Sequence, residues 1–237
     1  MPLELEMQLG IPSDWCTGGS SASQNYQISN VQLLYNSVTL DSSIEESFYK
    51  ALLASRTLSI PVINVYQTVS HIPSGSTSFS FAAVRAFSRL AMVFLTFRKD
   101  GPRSSQFLCP TTTIGTGAVP ALENGGAPQA RLSIGPKNYP DAQPNSSIPE
   151  LFYQLQQTLG YVPNITRDAS QNGNCFTICW DLRKTPGDAS SSISTRSGDL
   201  MNITLQSLTA DVASEAWLTM FSFGVVACRE QGCTLLT

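Results

Sequence analysis

Charge is scarce in this chain. Of its 237 residues, 13% are Asp, Glu, Lys or Arg, roughly half the share of an ordinary globular protein. That shortage excludes a coiled coil, whose flanking positions carry charged pairs, and it excludes a heavily charged surface. A net charge of -3 and a pI near 5.1 leave no basic footprint for nucleic acid. Histidine is scarcer still, with His71 alone. A Ser-His-Asp hydrolase would have to use it, and no G-x-S-x-G elbow is present to display the serine. No apolar run reaches the roughly 18 residues of a membrane-spanning helix. The longest stretch, Ala216 to Cys228, is interrupted by Thr219 and Ser222. The N-terminus lacks the positive start and apolar run of a secretory signal. Its alternation of Leu3, Leu5, Met7 and Leu9 with Glu4, Glu6 and Gln8 predicts a strand.

Ser, Thr, Asn and Gln stand where charge is missing, beside β-branched and aromatic residues. That mixture suits strands and turns better than helices. With 42% hydrophobic residues, 16 Gly and 14 Pro, the chain is neither disordered nor collagenous. Few charges remain to keep a surface apart from its neighbours, so the composition reads as all-β and self-associating.

Residues able to carry chemistry are few, and each has a structural reading. Cys16, Cys109, Cys175, Cys179, Cys228 and Cys233 read as buried free thiols. A disulfide framework and a zinc site built from Cys175-x3-Cys179 and Cys228-x4-Cys233 are the alternatives. Glu45, Glu46, Asp181 and Asp199 are the carboxylates a glycosidase would need. Glu45 and Glu46 instead suit a helix N-terminus. Arg85 and Arg89 bracket Ala86-Phe87-Ser88 and are read as forks onto carboxylates or carbonyls at a sheet edge rather than as an anion site. Thr195 to Asp199 reads as a polar turn. Gly115-Thr116-Gly117 lacks the Lys-Ser/Thr of a phosphate loop. Sequons occur at Asn145, Asn164 and Asn202 and carry little weight without a secretory route. No catalytic, cofactor-binding or metal-ligating residue is assigned, and no cofactor is expected.

The pattern of elements is more informative. Strands are expected at Tyr26–Leu40, Leu58–Val69, Ser78–Val84, Ala91–Phe97, Arg131–Ile134, Cys175–Leu182, Leu200–Leu208 and Ala213–Cys228. Pro61 marks its strand as an edge. Pro73-Ser74-Gly75-Ser76 is a turn. One helix is expected after Ser42, with Ser42 as cap, Glu45 as its capping-box partner and Phe48, Leu52 and Leu53 as the apolar stripe. A second runs from Pro149 to Leu159 and stops at Gly160. Lys99 to Gly126 and Gly135 to Pro149 read as long Gly- and Pro-rich loops. About eight strands with two short helices in the connections predict an antiparallel β-sandwich, a single jelly roll over residues 26–237 preceded by an arm or strand over 1–25.

Certain segments, taken in order, resemble a known family. They are Leu40-Asp41-Ser42, Phe48-Tyr49, Leu58-Ser59-Ile60-Pro61, Val84-Arg85-Ala86-Phe87-Ser88-Arg89-Leu90 and Val93-Phe94-Leu95-Thr96-Phe97. Ile134 to Pro140, Glu150-Leu151-Phe152-Tyr153 and Thr195 to Leu200 follow. The series is similar to the C-terminal jelly roll of major capsid proteins from double jelly-roll DNA viruses, with polinton-like and adintovirus-like elements nearest. The resemblance covers roughly residues 26–230. It implies a structural, non-enzymatic role in a virion, with subunits joined in threes into a capsomer; no direct contact with nucleic acid and no membrane span is expected. Family subunits carry two rolls, and this chain has length for one. The two long loops are the expected contacts between subunits. A glycan-binding sandwich using Trp15, Trp180 or Trp217, and a sandwich hydrolase using His71, are the rival readings.

Overall fold

A computed structural model describes residues 6–7, 25, 27–34, 36–54, 57–99, 129–141, 148–159, 177–185, 191–196, 199–206, 214–229 and 232–236. Nine strands and two helices occur among them. In chain order they are α1 (Ser42–Leu53), β1 (Leu58–Ile72), β2 (Ser78–Ala83), β3 (Leu90–Lys99), β4 (Gln129–Ile134) and β5 (Lys137–Tyr139). Then come α2 (Ile148–Leu159), β6 (Thr177–Asp181), β7 (Met201–Gln206), β8 (Ser214–Arg229) and β9 (Gly232–Leu236). By contacts, described residues within 62–100 and 108–224 form one compact unit, and those within 1–61 and 225–236 form another.

The larger unit is a sandwich. One sheet runs β1-β8-β3-β6 and the other runs β2-β7-β4-β5; β9 and the residues of β8 that it pairs, Val225 to Arg229, belong to the smaller unit. The β2–β7, β3–β6, β3–β8, β4–β5, β4–β7 and β8–β9 pairings are antiparallel. Strands β1, β3, β6 and β8 lie in the first sheet and β2, β4, β5 and β7 in the second, so the chain crosses between layers at almost every connection. Greek-key winding of this kind lets two sheets share one interior. Alternation supplies that interior. Val93, Leu95 and Phe97 of β3, Ile178 and Trp180 of β6, and Ala216, Leu218 and Met220 of β8 face inward from the first sheet. Ala130, Leu132 and Ile134 of β4 and Met201, Ile203 and Leu205 of β7 meet them from the second. With a period of two, the residues between these point to the outer faces.

The turns follow their residues. Ser76 N–H donates to the Pro73 carbonyl at 3.3 Å, and Gly75 takes φ 80°, the left-handed position that a type II turn requires at its third residue. Between β4 and β5, Gly135-Pro136 forms a two-residue loop with Gly135 at φ 55°. A cis Tyr139–Pro140 bond follows β5.

Four expectations are corrected. Residues 27–34 and 36–40 are not strand. Ile28, Val31, Leu33, Leu34, Val38 and Leu40 are all exposed, and their spacing switches parity, so no extended ladder could bury them on one side. Asp41 rather than Ser42 caps α1: its carbonyl accepts the N–H groups of Ile44 and Glu45 at 3.0 Å each, and its carboxylate accepts the Ser43 hydroxyl. Glu45 therefore lies beyond the capping-box position. The apolar stripe of α1 is not buried either, since Phe48 and Leu53 are exposed. Finally, the segment read as a loop from Gly135 contains β5, and the terminal strand β9 was not anticipated. The expected N-terminal strand, most of the Lys99–Gly126 loop, Trp15, Cys16, Cys109, Cys175, Asn145 and Asn164 lie outside the described residues.

Candidate interaction face and end cleft

The two outer faces of the sandwich differ in chemistry. On the second sheet the outward positions are polar: Ser80 Oγ donates to Asn202 Oδ1 at 3.1 Å, and Ser133 Oγ to Asn138 Oδ1 at 2.8 Å. The Asn202 sequon thus lies mid-sheet with its amide engaged. On the first sheet the outward face is apolar and unevenly covered. Helix α2 packs on β6 and buries Leu155 against Phe94 and Cys179, with Met92 and Phe221 at the margin. Phe94 and Phe221 meet edge-on at 5.3 Å between ring centroids. Beyond Phe221, Trp217 and Phe223 of β8 are half-buried. Gln67 Nε2 donates to Thr219 Oγ1 at 3.3 Å, which places the odd-numbered residues of β1 on the same face. Of these, Ile63, Val65 and Val69 are 59%, 57% and 46% exposed. The face is thus covered by a helix at one end and carries exposed apolar side chains at the other, which makes it the candidate interaction surface.

A cleft of about 640 Å³ opens at one end of the sandwich, lined by Tyr139, Lys137, Arg183, Ser192, Ser194 and Asp199 among others. Its electrostatics are dominated by one clamp. Arg183 Nε and Nη2 donate to the two carboxylate oxygens of Asp181 at 2.8 and 2.6 Å, and Nη2 also donates to the Thr158 carbonyl at 3.1 Å. The hydrogen bonds to Asp181 hold the guanidinium above its ordinary pKa, as bidentate pairing does. Asp181 is therefore a structural carboxylate that ties β6 to the end of α2. Two serine hydroxyls reach the cleft, but His71 is not among its lining residues; it lies exposed on β1. Glu45 sits in the first turn of α1, and Glu46 pairs with Lys50 across one exposed helical turn at 2.8 Å, an arrangement of small energetic weight.

Asp199 lies against the β4–β5 turn. A Cβ on Gly135 would come within 2.5 Å of its Oδ1, and Gly135 N–H donates to the Leu200 carbonyl at 3.2 Å. Close approach and positive φ act together, so Gly135→Ala is expected to lower stability by about 1–3 kcal/mol. Urea unfolding measures this, and a loss within experimental error would contradict it.

Among the described residues, Arg85 and Arg89 are found on aromatic rings and not forked onto carboxylates. Arg85 lies over the Tyr66 ring at 3.6 Å, and Arg89 over Phe223 at 5.6 Å. Aromatic faces are available there, and a weakly hydrated guanidinium stacks on them favourably. Thr195, read as a turn residue, is 1% exposed. Its Oγ1 accepts the Phe87 N–H at 2.8 Å and its N–H donates to the Phe87 carbonyl at 2.8 Å. Ile193 and Leu90 exchange backbone bonds beside it. The segment before β7 is thereby stitched to the connection between β2 and β3. Trp180 is a core residue, and Trp217 Nε1–H donates to Glu215 Oε2 at 2.9 Å.

The cysteines divide into two kinds. Cys179 is buried, and burial pushes its thiol from 9.0 up to about 11. The folded state therefore holds a neutral thiol where the unfolded chain ionises. The sign follows: stability is intact below pH 9 and falls as pH rises towards about 11, by about 2–3 kcal/mol in total. Alkaline unfolding of the wild type compared with Cys179→Ala should show this slope disappear in the variant. Cys228 and Cys233 are near the surface instead. No three His, Cys, Asp or Glu side chains cluster at metal-binding spacing among the described residues.

No protein-family model matches the chain, and no curated protein matches it. Solved structures do. A quasi-atomic model of the PBCV-1 virus capsid aligns with a TM-score of 0.51 at 11% identity, covering 83% of this chain and 54% of that one. PBCV-1 VP54, fitted into a reconstruction of the virophage Sputnik, gives the same values. The mavirus major capsid protein aligns with a TM-score of 0.38 at 10% identity, over 76% of this chain and 41% of that one. The chain spans about half the length of the PBCV-1 capsid chains it matches. The likeness is one of fold: an all-β, antiparallel jelly-roll sandwich whose solved neighbours are structural proteins of viral capsids rather than enzymes.

Proposed function

We propose that this protein is a structural subunit of a viral, or virus-derived, capsid, and that it self-associates as a trimeric capsomer within a virion. The observation that carries the reading is the two-layer jelly roll that aligns with the PBCV-1 capsid over 83% of the chain. Three features support it. One outer face of the sandwich is polar and internally bonded, while the other carries Ile63, Val65 and Val69 in the open. Charge makes up only 13% of residues, which suits broad uncharged contacts between copies. The end cleft has its carboxylate Asp181 tied to Arg183, which suits a packing element better than a reacting one. In this reading residues 26–237 form the roll, residues 1–25 an arm, and the partners are further copies and neighbouring capsid proteins.

Native mass measurement over a range of concentrations tests the proposal. A trimer that strengthens with concentration is the expected outcome. A strict monomer at high concentration would overturn it.

A further inference from the structure

Strands β8 and β9 form a hairpin in which Val225 pairs with Leu236, Val226 with Leu235, Ala227 with Thr234, Cys228 with Cys233 and Arg229 with Gly232. Two residues separate the strands. Cys228 and Cys233 are thus directly opposed, one register step from the closing pair. Directly opposed residues of antiparallel strands have Cα atoms about 4.5–5.5 Å apart and side chains on the same face. A disulfide needs a Cα separation of about 4.4–6.8 Å, so the backbone already holds the geometry of the bond.

Their surroundings differ from those of Cys179. That thiol is buried and shares only the Thr158 hydroxyl, at 3.6 Å. Cys228 is half-buried and Cys233 exposed, and the two side chains are in hydrogen-bond contact with each other. That contact also holds the Cys228 thiol above its ordinary pKa. The thiolate that starts exchange therefore forms less readily at Cys228 than at an ordinary surface thiol.

We infer that Cys228 and Cys233 are a surface dithiol that closes into a cross-strand disulfide by reaction with a low-molecular-weight disulfide. In the first step one thiolate attacks a sulfur of the small disulfide, forming a mixed disulfide and releasing one small thiolate. In the second, the other cysteine attacks the protein sulfur of that mixed disulfide and expels the second small thiol. The protein pair is oxidised by two electrons, the small disulfide is reduced to two thiols, and two protons pass to solvent or to those thiols. The closed ring covalently ties β9 to β8.

Arg229 makes the test specific. Incubation of the folded chain with oxidised glutathione, quenching with a thiol-alkylating reagent and tryptic cleavage after Arg229 separates Cys228 and Cys233 onto different peptides. The expected product is the two peptides joined, about 2 Da lighter than their sum and separating on reduction. In Cys233→Ser the second step is blocked, so a glutathione adduct should accumulate at Cys228. Cys179 itself should carry no glutathione in either protein. Free thiols at both positions after oxidation, glutathione at both without a cross-link, or pairing of either cysteine with a different one would each overturn the inference.

Discussion

Phe87→Ala is expected to lower the unfolding free energy by about 3–5 kcal/mol, the range for removing a buried aromatic ring without full collapse of the site. Phe87 belongs to no strand, yet it is 1% exposed. Its ring meets Tyr66 at 5.3 Å between centroids, and Tyr66 in turn carries the Arg85 guanidinium at 3.6 Å. Its backbone holds Thr195 through both N–H and carbonyl. Removing the ring therefore opens a cavity where the β2–β3 connection and the segment before β7 come together. It also loosens the support beneath the Arg85 stack. Three residues away, Val84 is 86% exposed, and Val84→Ala is expected to stay within about 0.5 kcal/mol. Urea unfolding followed by tryptophan fluorescence separates the two. Equal effects at the two positions would mean that Phe87 does not anchor this corner.

Charging the apolar outer face should have the largest effect on assembly. Ile63→Glu combined with Val65→Glu is expected to raise the dissociation constant of the oligomer at least about a hundredfold. Desolvating an unpaired carboxylate in a contact costs several kcal/mol, and each copy brings two. The fold itself should tolerate both changes, because these side chains are 59% and 57% exposed and surface substitutions seldom cost much. Gln206→Glu is the matched control. Gln206 is exposed at the end of β7, in the other sheet, so association should persist. Analytical ultracentrifugation of the three proteins at one concentration reads the difference. If the double variant associated like the wild type, the face would not be a contact surface.

Much of the fold was legible because its strands keep strict parity. Met201, Ile203 and Leu205 alternate with Asn202, Thr204 and Gln206, and β7 is buried on one side as that pattern demands. Helix α2 was legible from its apolar spacing with Pro149 and Gly160 at its ends, and α1 from Ser42, Glu45 and the spacing of Phe48, Leu52 and Leu53. The three residues of β5 were not, since a strand so short has no period and sits among turn residues. Strand β9 was hidden for a different reason: Cys228 and Cys233 read as buried free thiols, with a disulfide or zinc as alternatives, whereas strand register sets the two opposite each other. The false strand before α1 came from counting apolar residues without checking parity. Of the candidate site, Asp181 was visible as a carboxylate but its fork from Arg183 was not. Arg85 and Arg89 were visible as cations, yet Tyr66 and Phe223 are distant in sequence and meet them only through the fold. The open face had one signal that went unused. Strand β1 carries apolar residues at both parities, with Val62, Tyr66 and Ile72 against Ile63, Val65 and Val69, as does a strand destined to be covered on both sides.

The arginines have a consequence for how the molecule responds to salt. Arg183 is locked to Asp181, which cancels its charge at close range, while Arg85 and Arg89, both exposed, keep theirs on aromatic faces. Contacts between dry apolar faces do not weaken as the Debye length shortens, and excluded anions such as sulfate strengthen them. Self-association through the β1–β8 face, as proposed, would therefore be favoured rather than dissolved by rising ionic strength.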